Sequence, residues 1–448
     1  MKFKLYTLFA ALLMAASVMM FQACHRNQAP LSIQMEKIPA LLTRSSDLGP
    51  EKEGQLYTKT YEKLYNRLMA NPEDTEARLQ MAELFIMEAR ITGEHPYYYP
   101  AALKMVNTVL ESKPEKQEVL FSALNLKSSV LLSLHQFEEG LEVAQKAAVL
   151  NPYNAGIYGS LVDGNVELGH YDEAVKMADK MVSIRPDLRS YSRISYLREI
   201  YGDIDGAIEA MDMAVKAGYP GYESTAWTRV TLGNIYASYG DLTNAEIQYK
   251  ITLQERPGFP FAIQGLASVE MKKGNLENAE KLYNEAIGII PEVSFYEGLA
   301  EVYLKTGREN DAQKTAQTII QMMAEDEASG HRVDMDKAKV YLHFLKDDNT
   351  ALKLAMNEYH ARPKNIDVNL FLAKVLIARG DLISARVHLE TASVTNSKNP
   401  ELWLCKGVLE AKSGNSEAAG KMIKAALNAN PYLEGEMADF ARQTIAQS

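Results

Sequence analysis

Residues 232–257 read LGNIYASYGDLTNAEIQYKITLQERP, and their internal spacing decides the fold. Two short amphipathic helices can be drawn through them. The first must end at Gly240, where the chain reverses and a residue tolerant of left-handed backbone is needed. Asp241 follows, suited to the turn and to capping the helix that starts next. Pro257 closes the second helix because it has no N–H for the next backbone bond. A pair this short, with Tyr236, Ala245 and Tyr249 on its apolar faces, cannot bury both flanks alone. It predicts neighbours of the same kind.

Those neighbours are present. The small residue opening the second helix of each pair recurs as Ala102, Gly140, Ala174, Ala207, Ala245, Ala279, Ala312, Ala351, Ala385 and Ala419. The steps are 38, 34, 33, 38, 34, 33, 39, 34 and 34 residues. A period near 34 is the mark of a helical repeat array. Five residues before most of these stands a glycine: Gly169, Gly202, Gly240, Gly274, Gly307, Gly380 and Gly414. Twelve residues after comes proline, at Pro114, Pro152, Pro186, Pro257, Pro291, Pro363 and Pro431. The long steps recur every third unit, with extra residues around 114–119, 216–224 and 321–337. Three stacked triplets would place them so, and so would independent drift of the loops.

Leu-Gly, Tyr, Ala, an aromatic residue and Pro at these offsets resemble the tetratricopeptide repeat. Residues 232–257 carry the pattern almost complete, and 265–291 and 298–319 are good matches. Trp403, Gly407, Ala419 and Pro431 complete another, while units near 75–114 and 331–363 are degenerate. The resemblance covers about 54–431, some ten units. It implies an all-α fold, a right-handed superhelical solenoid of about ten helix pairs over 51–431. Residues 432–448 read as a C-terminal capping helix. Met437, Phe440, Ala441 and Ile445 would face the last repeat, with Glu436, Asp439 and Arg442 turned to water.

The first residues are of another kind. MKFKLYTLFAALLMAASVMMFQAC has a basic start at Lys2 and Lys4, an apolar run from Leu5 to Phe21, and then Gln-Ala-Cys. That is an export signal by charge and length. It resembles a bacterial lipoprotein signal, which implies removal of 1–23 and acylation of Cys24. An uncleaved anchor helix and simple secretion are the alternatives. Under the same resemblance, His25 in place of Asp favours the outer membrane. Residues 24–50 read as a tether.

Composition narrows the function classes. The formal net charge is −10, and loss of Lys2 and Lys4 with the signal would leave it near −12. Such a chain has no general basic footprint for nucleic acid. Cys24 and Cys405 are the two cysteines, too few for a disulfide framework. Phosphate-binding glycine loops, nucleophile elbows and His-Glu-x-x-His pairs are missing, so the reading is a non-enzyme without metal or cofactor. EDEASGHRVDMD (325–336) lacks the ligand alternation of a calcium loop and reads as a solvated acidic loop. ITGEHPYYYP (91–100) reads as an insertion in the first unit. Its three tyrosines either meet a partner or fold down on their own repeat.

What remains is surface. The resemblance implies that the first helix of each pair lines a concave groove. The corresponding offsets are Arg189, Arg193 and Tyr196 in unit four, Trp227, Asn234 and Ser238 in unit five, and Phe261, Gln264, Ser268 and Lys272 in unit six. Arg and aromatic side chains anchor interfaces most often. The expectation is a membrane-anchored scaffold with a protein or peptide in that groove. Direct capture of a peptide or saccharide ligand by the repeats is the alternative. The Lys/Asn pattern by which some relatives clamp a terminal carboxylate is not reproduced across consecutive units.

Overall fold

Tyr249 shows how a unit closes on itself. Its ring lies where side chains at Gly233 and Gly265 would be, since a Cβ built on either glycine would approach it to 2.5 or 2.6 Å. The Leu-Gly of the repeat is therefore a seat for an aromatic ring from the second helix. Gly298 does the same for Tyr283. Ala245 and its counterparts are fully buried where the two helices cross, and a larger side chain there would force them apart.

The computed structural model describes residues 38–45 and 47–446. Cys24, the export segment 1–23 and most of the tether lie outside them. The chain divides into Met1–Ala40 and Leu41–Ser448, and the repeats belong to the second unit. Among the described residues there are twenty-two α-helices and no strand. Helix α1 (Glu51–Ala70) stands alone, and ten pairs come after it. Units 1 to 4 are α2 (Thr75–Thr92) with α3 (His95–Glu111), α4 (Gln117–Ser133) with α5 (Phe137–Leu150), α6 (Ala155–Glu167) with α7 (Tyr171–Ile184), and α8 (Leu188–Ile200) with α9 (Ile204–Lys216). Units 5 to 7 are α10 (Glu223–Ser238) with α11 (Leu242–Glu255), α12 (Pro260–Lys272) with α13 (Leu276–Ile289), and α14 (Val293–Lys305) with α15 (Glu309–Ala328). Units 8 to 10 are α16 (Asp334–His343) with α17 (Asp348–Ala361), α18 (Ile366–Ala378) with α19 (Leu382–Ala392), and α20 (Pro400–Lys412) with α21 (Ser416–Ala429). The array ends in α22 (Glu436–Ala446), whose Met437, Phe440, Ala441 and Ile445 pack on the last units. The fold is an all-α solenoid.

Within a unit the sequence signals act as physical chemistry requires. Gly240 has φ of 77°, a left-handed conformation that costs most other residues about 1 kcal/mol. The Asp241 side chain accepts the backbone N–H of Asn244 and starts α11; Asp203 and Asp381 do the same for α9 and α19.

Three expectations change. Residues 91–100 are not an insertion. Pro96 stands in the first turn of α3, the helix continues through Pro100, and Tyr98 and Tyr99 are buried against unit 1. The acidic run at 325–336 is no free loop, because α15 carries its first half and residues 330–332 bind unit 2. The C-terminal end of the tether is docked. Arg44 donates to Glu88 and Glu53 at 3.0 Å, the Leu42 N–H donates to the Tyr98 hydroxyl at 2.9 Å, and Leu48 is buried.

The arrangement of units obeys a rule that neighbour-to-neighbour stacking does not supply. The reversal inside each early unit rests on the loop that precedes the unit six places further on. In unit 2, Gln136 donates to the Gly330 carbonyl at 2.7 Å and the Arg332 N–H donates to the Leu134 carbonyl at 3.0 Å. In unit 3, Asn365 donates to the Glu167 carbonyl at 3.0 Å and the Ile366 N–H donates to the Tyr171 hydroxyl at 2.8 Å. In unit 5, Asn430 donates to the Ser238 carbonyl at 3.0 Å. Unit 4 brings Gly202 against Asn396, and unit 1 brings Gly93 against Glu292. Ahead of unit 1, the segment leading into α1 completes the row: Arg256, 1% exposed, donates to Glu53 at 2.8 and 3.0 Å and to the Leu48 carbonyl at 3.3 Å. These partners lie between 192 and 208 residues apart. The solenoid therefore completes a turn in about six units and lays its second turn on its first.

Glycines measure this contact. A Cβ on Gly169 would fall 2.5 Å from the Lys364 carbonyl oxygen, whereas one on Gly307 would meet nothing within 4 Å; their φ values are 75° and 72°. Gly307→Ala should therefore cost about 1 kcal/mol for the left-handed backbone. Gly169→Ala should cost about 2–4 kcal/mol, because the second turn must also shift. Urea unfolding of both variants checks this, and equal losses would mean that the turns do not bear on each other.

Histidines make the same contact sensitive to acid. His135 and His331 meet edge to face at 4.4 Å, and neither ring nitrogen of His331 has a hydrogen-bond partner. Burial, then the neighbouring His135 and His95, lowers His331 to about 3, and burial with Arg90 lowers His95 to about 4. In the unfolded chain both rings titrate near 6.5. Their contribution to stability is thus whole above pH about 6.5 and is lost as pH falls toward 4 and 3. The upper limit is about 1.4 kcal/mol per pH unit for each ring, less what water reaching the partly exposed rings screens. Thermal unfolding should fall less steeply between pH 6.5 and 4 in His331→Gln than in the parent. Parallel curves would count against the assignment.

Candidate functional site

The first helices of units 1 to 7 touch one after another, from α2 to α14, as α18 does α20, and they form the inner wall. The inner wall is hollowed into a continuous trough. Its widest part, about 840 Å³, is lined by α2 and α4, with Glu76, Glu83, Glu115 and Glu118 around it. Asn125 is shared with a cavity of about 360 Å³ between α2, α4, α6 and α8. Asp163, Glu167 and Arg193 are shared in turn with a cavity of about 290 Å³ that reaches α10. Tyr196 links this to a slot of about 90 Å³ closed by Ile366, Asp367 and Asn399 of the second turn. The trough narrows from units 1 and 2 toward the place where the turns meet.

The ten groove residues expected from the sequence divide into three groups. Arg189, Arg193, Tyr196 and Trp227 line the trough. Arg193 lies along α6: it donates to both Asp163 carboxylate oxygens at 2.8 and 2.5 Å and to the Gly159 carbonyl at 3.2 Å. Gly159 makes room for it, since a Cβ there would come within 3.0 Å of the guanidinium carbon. Tyr196 is 38% exposed and faces the trough. Desolvation, then the fields of Asp367 and Glu167, raises its hydroxyl well above the ordinary tyrosine value. Trp227 is 47% exposed, and its indole stands edge-on to Phe261 at 4.7 Å.

The second group serves the fold. Phe261 is half-buried, meets Phe295 edge to face at 5.2 Å and so props Trp227. The Tyr249 hydroxyl donates to the Asn234 side-chain oxygen at 2.7 Å, Ser268 is hydrogen-bonded to Tyr283, and Ser238 offers its carbonyl to Asn430. The third group is Lys272 and Gln264. Lys272 feels Glu434 and Glu401, while burial lowers its pKa; Gln264 is half-buried nearby on α12.

Sequence reasoning missed Arg90, Asp163, Glu167 and His135, which share the 360 Å³ cavity. Arg90 sits in a unit too degenerate for its offsets to be mapped. Glu167 is tied to Arg362, 195 residues away, which Glu358 also holds at 2.6 Å. Even so, burial raises Glu167 to about 7. The second turn has its own inner pairs, Lys374 with Glu401 and Lys339 with Asp336 at 2.9 Å. Cys405, near Lys374 and Glu401, is fully buried, and burial pushes its thiol up to about 12. A thiol so shielded is unreactive. Among the described residues no cluster of His, Cys, Asp and Glu is placed to hold a metal ion.

A family profile of the tetratricopeptide repeat matches residues 262–293, the span of α12 and α13. Human protein O-mannosyl-transferase TMTC1 is 25% identical over 158 residues, 35% of this chain and 18% of that protein. This chain thus spans less than a fifth of that relative's length. Among solved structures, a tetratricopeptide repeat protein from Parabacteroides merdae is 17% identical, with a TM-score of 0.35 over 58% of this chain and 97% of that one. The repeat protein TTC0263 of Thermus thermophilus is 20% identical, with a TM-score of 0.38 over 44% and 99%. Yeast Tom70 is 13% identical, with a TM-score of 0.35 over 74% and 81%. The paired helices and their period near 34 residues are those of tetratricopeptide-type helix pairs, and residues 262–293 match that repeat's profile.

Proposed function

We propose that the protein is a non-enzymatic scaffold that holds an extended segment of a protein partner along its inner trough. The observation that carries this reading is the row of Arg189, Arg193, Tyr196 and Trp227 along one continuous hollow. Large aromatic rings and guanidiniums left facing water inside a concavity are the residues that anchor partners. The trough is open at units 1 and 2 and closes at the second turn, which suits a chain laid lengthwise better than a globular surface.

The scaffold would be attached to a bacterial envelope through Cys24, with the outer membrane favoured, and would work within an assembly or secretion complex. No described helix is long and apolar enough to cross a membrane, so attachment falls to residues before those described. Acyl chains at one cysteine, if two or more, hold a protein stably to a bilayer. Cells fed labelled palmitate should yield labelled protein from the parent and none from Cys24→Ser. Equal labelling of both would end the lipoprotein reading.

The trough is tested by crosslinking the full-length protein in its own cells and identifying what co-purifies with it. A stoichiometric envelope protein should be captured by the parent and lost when Arg189→Ala, Arg193→Ala and Tyr196→Ala are combined in a variant whose circular dichroism is unchanged. Capture that survives in the variant would move the partner site elsewhere. Tight binding of a peptide or saccharide by the pure protein, with no protein partner, would favour capture of a small ligand instead.

A further inference from the structure

Asn-Pro-Tyr occurs at 151–153 and again at 430–432, and the two loops differ in what they meet. Asn151 ends α5 at φ −141° and ψ 82°, and Asn430 ends α21 at −145° and 100°. In each, the asparagine side-chain oxygen accepts the N–H of the tyrosine, at 3.3 and 2.9 Å. The second loop is seated on the reversal of unit 5. Asn430 is 4% exposed and donates to the Ser238 carbonyl, and Pro431 lies so close that a Cβ on Gly240 would approach its ring to 3.0 Å. Tyr432 packs on the apolar cluster that holds Leu242. The first loop is open. Tyr153 is 79% exposed, Val149 just before it 82%, and the side-chain nitrogen of Asn151 has no partner among the described residues.

The seat has a twin as well. Gly-Asp-Leu makes the reversal of unit 5 at 240–242 and that of unit 9 at 380–382. The two glycines have φ of 77° and 82°. The Asp241 N–H donates to the Tyr236 carbonyl and the Asp381 N–H to the Leu376 carbonyl, both at 2.9 Å. Each leucine N–H returns to its glycine carbonyl, at 3.1 and 3.0 Å. Yet a Cβ on Gly380 would meet nothing within 4 Å. Leu382 is half-buried where Leu242 is buried, and Ile383 beside it is 84% exposed. One loop and seat are joined, and their counterparts both face solvent.

We propose that the open loop and the open seat meet between two copies of the chain, the 151–153 loop of one copy docking on the 380–382 reversal of the next. Within one chain each lacks its mate. A loop rests on the reversal six units before it, so the loop ahead of unit 3 would need a unit before the first, and the reversal of unit 9 would need a fifteenth. A second copy supplies both if its unit 1 stands twelve places beyond that of the first, two turns further along one spiral. The same register carries Asn71-Pro72 over Gly307 and Arg185-Pro186 over Gly414, glycines whose Cβ would likewise meet nothing within 4 Å. The join has room. The first chain ends with α22, which packs on α20 as the first helix of an eleventh place. The second chain opens with α1 as the second helix of a twelfth, so no position is claimed twice. Asn151 then donates to the exposed Ala378 carbonyl as Asn430 does to that of Ser238, and Tyr153 covers Leu382 and Ile383, removing apolar surface from water. The two faces are different, so the contact does not close, and copies add head to tail.

Directed disulfide formation tests the pairing. The full-length chain would carry Cys24→Ser, so that the buried Cys405 is the one native thiol left. Tyr153→Cys and Ile383→Cys are then made separately, each at an exposed position. Mixed and oxidised with copper phenanthroline, the two variants should yield a disulfide-linked dimer. Neither should do so alone, because the loop meets the seat and not its own kind. Tyr222→Cys, 65% exposed on another loop, should give no product with Ile383→Cys. Light scattering of the chain without added cysteines should show a mass that rises with concentration above the 50.0 kDa of one copy. Combined Asn151→Ala and Tyr153→Ala should abolish that rise while circular dichroism is unchanged. Self-linkage of either variant as readily as linkage to the other would indicate a two-fold contact and overturn the proposal. So would a rise in mass that survives the double variant. A chain that stays at 50.0 kDa at every concentration would also overturn it, leaving both edges to solvent or to a different protein.

Discussion

The reversal inside each early unit presses on the loop six units further along, and the rest of the molecule is arranged around that contact. Solenoids ordinarily gain stability from neighbours alone, each repeat touching the one before and the one after. Here Gln136 reaches Gly330, Asn365 reaches the carbonyl of Glu167, and Asn430 reaches the carbonyl of Ser238. The contact is made largely of backbone carbonyls and short polar side chains, so it depends on position more than on apolar area. Its charged members, Arg256 with Glu53 and Arg362 with Glu167, are weak evidence for stability in themselves, because burying a charge pair costs much of what the attraction returns. They do fix which loop meets which turn.

The same winding gives the inner wall its character. Tyr196 is exposed on the inner face of α8, yet the slot it opens into is closed by Ile366 and Asp367 of the second turn. Side chains there are wet but hemmed in, which is why so many of their pKa values move. Glu167 and Glu297 rise to about 7, mainly by desolvation, although each has a cation nearby. The inner wall is therefore a place where charge is held at a cost.

Much of the repeat was legible because it rests on local rules. Gly240, Asp241, Ala245 and Pro257 each announce a reversal, a cap, a crossing or a stop within a few residues of where they act. The seat of Tyr249 between Gly233 and Gly265 is also local, spanning only one unit boundary. What was hidden is non-local. Nothing near Arg362 in the chain points to Glu167, and His135, with φ of 56° where other units place glycine, gives no hint of His331. Residues 91–100 read as an insertion because two prolines flank the tyrosines, although Pro is well suited to the opening turn of a helix; of the two readings of those tyrosines, folding down on their own repeat is the one that the burial of Tyr98 and Tyr99 bears out. Several of the expected groove residues fell to the fold for a similar reason. Helix offsets say which side faces inward, but not whether Asn234 is already claimed by Tyr249. The three-unit recurrence of long steps now has a scale, since three units make half a turn.

A solenoid of independent neighbours can gain or lose a repeat and simply become longer or shorter. This one cannot. Deleting a unit that lies between two mates would shift their pairing by one repeat, so that loss of unit 6 would bring Asn365 from the reversal of unit 3 to that of unit 2 and Asn430 from that of unit 5 to that of unit 4. Even one residue added between Gly93 and Glu292 would have to be absorbed in a loop away from both. Chain length between the two turns is thus a shared, heritable dimension of the molecule. Variation in repeat number, the common mode of change in such arrays, is open to it only beyond the second turn.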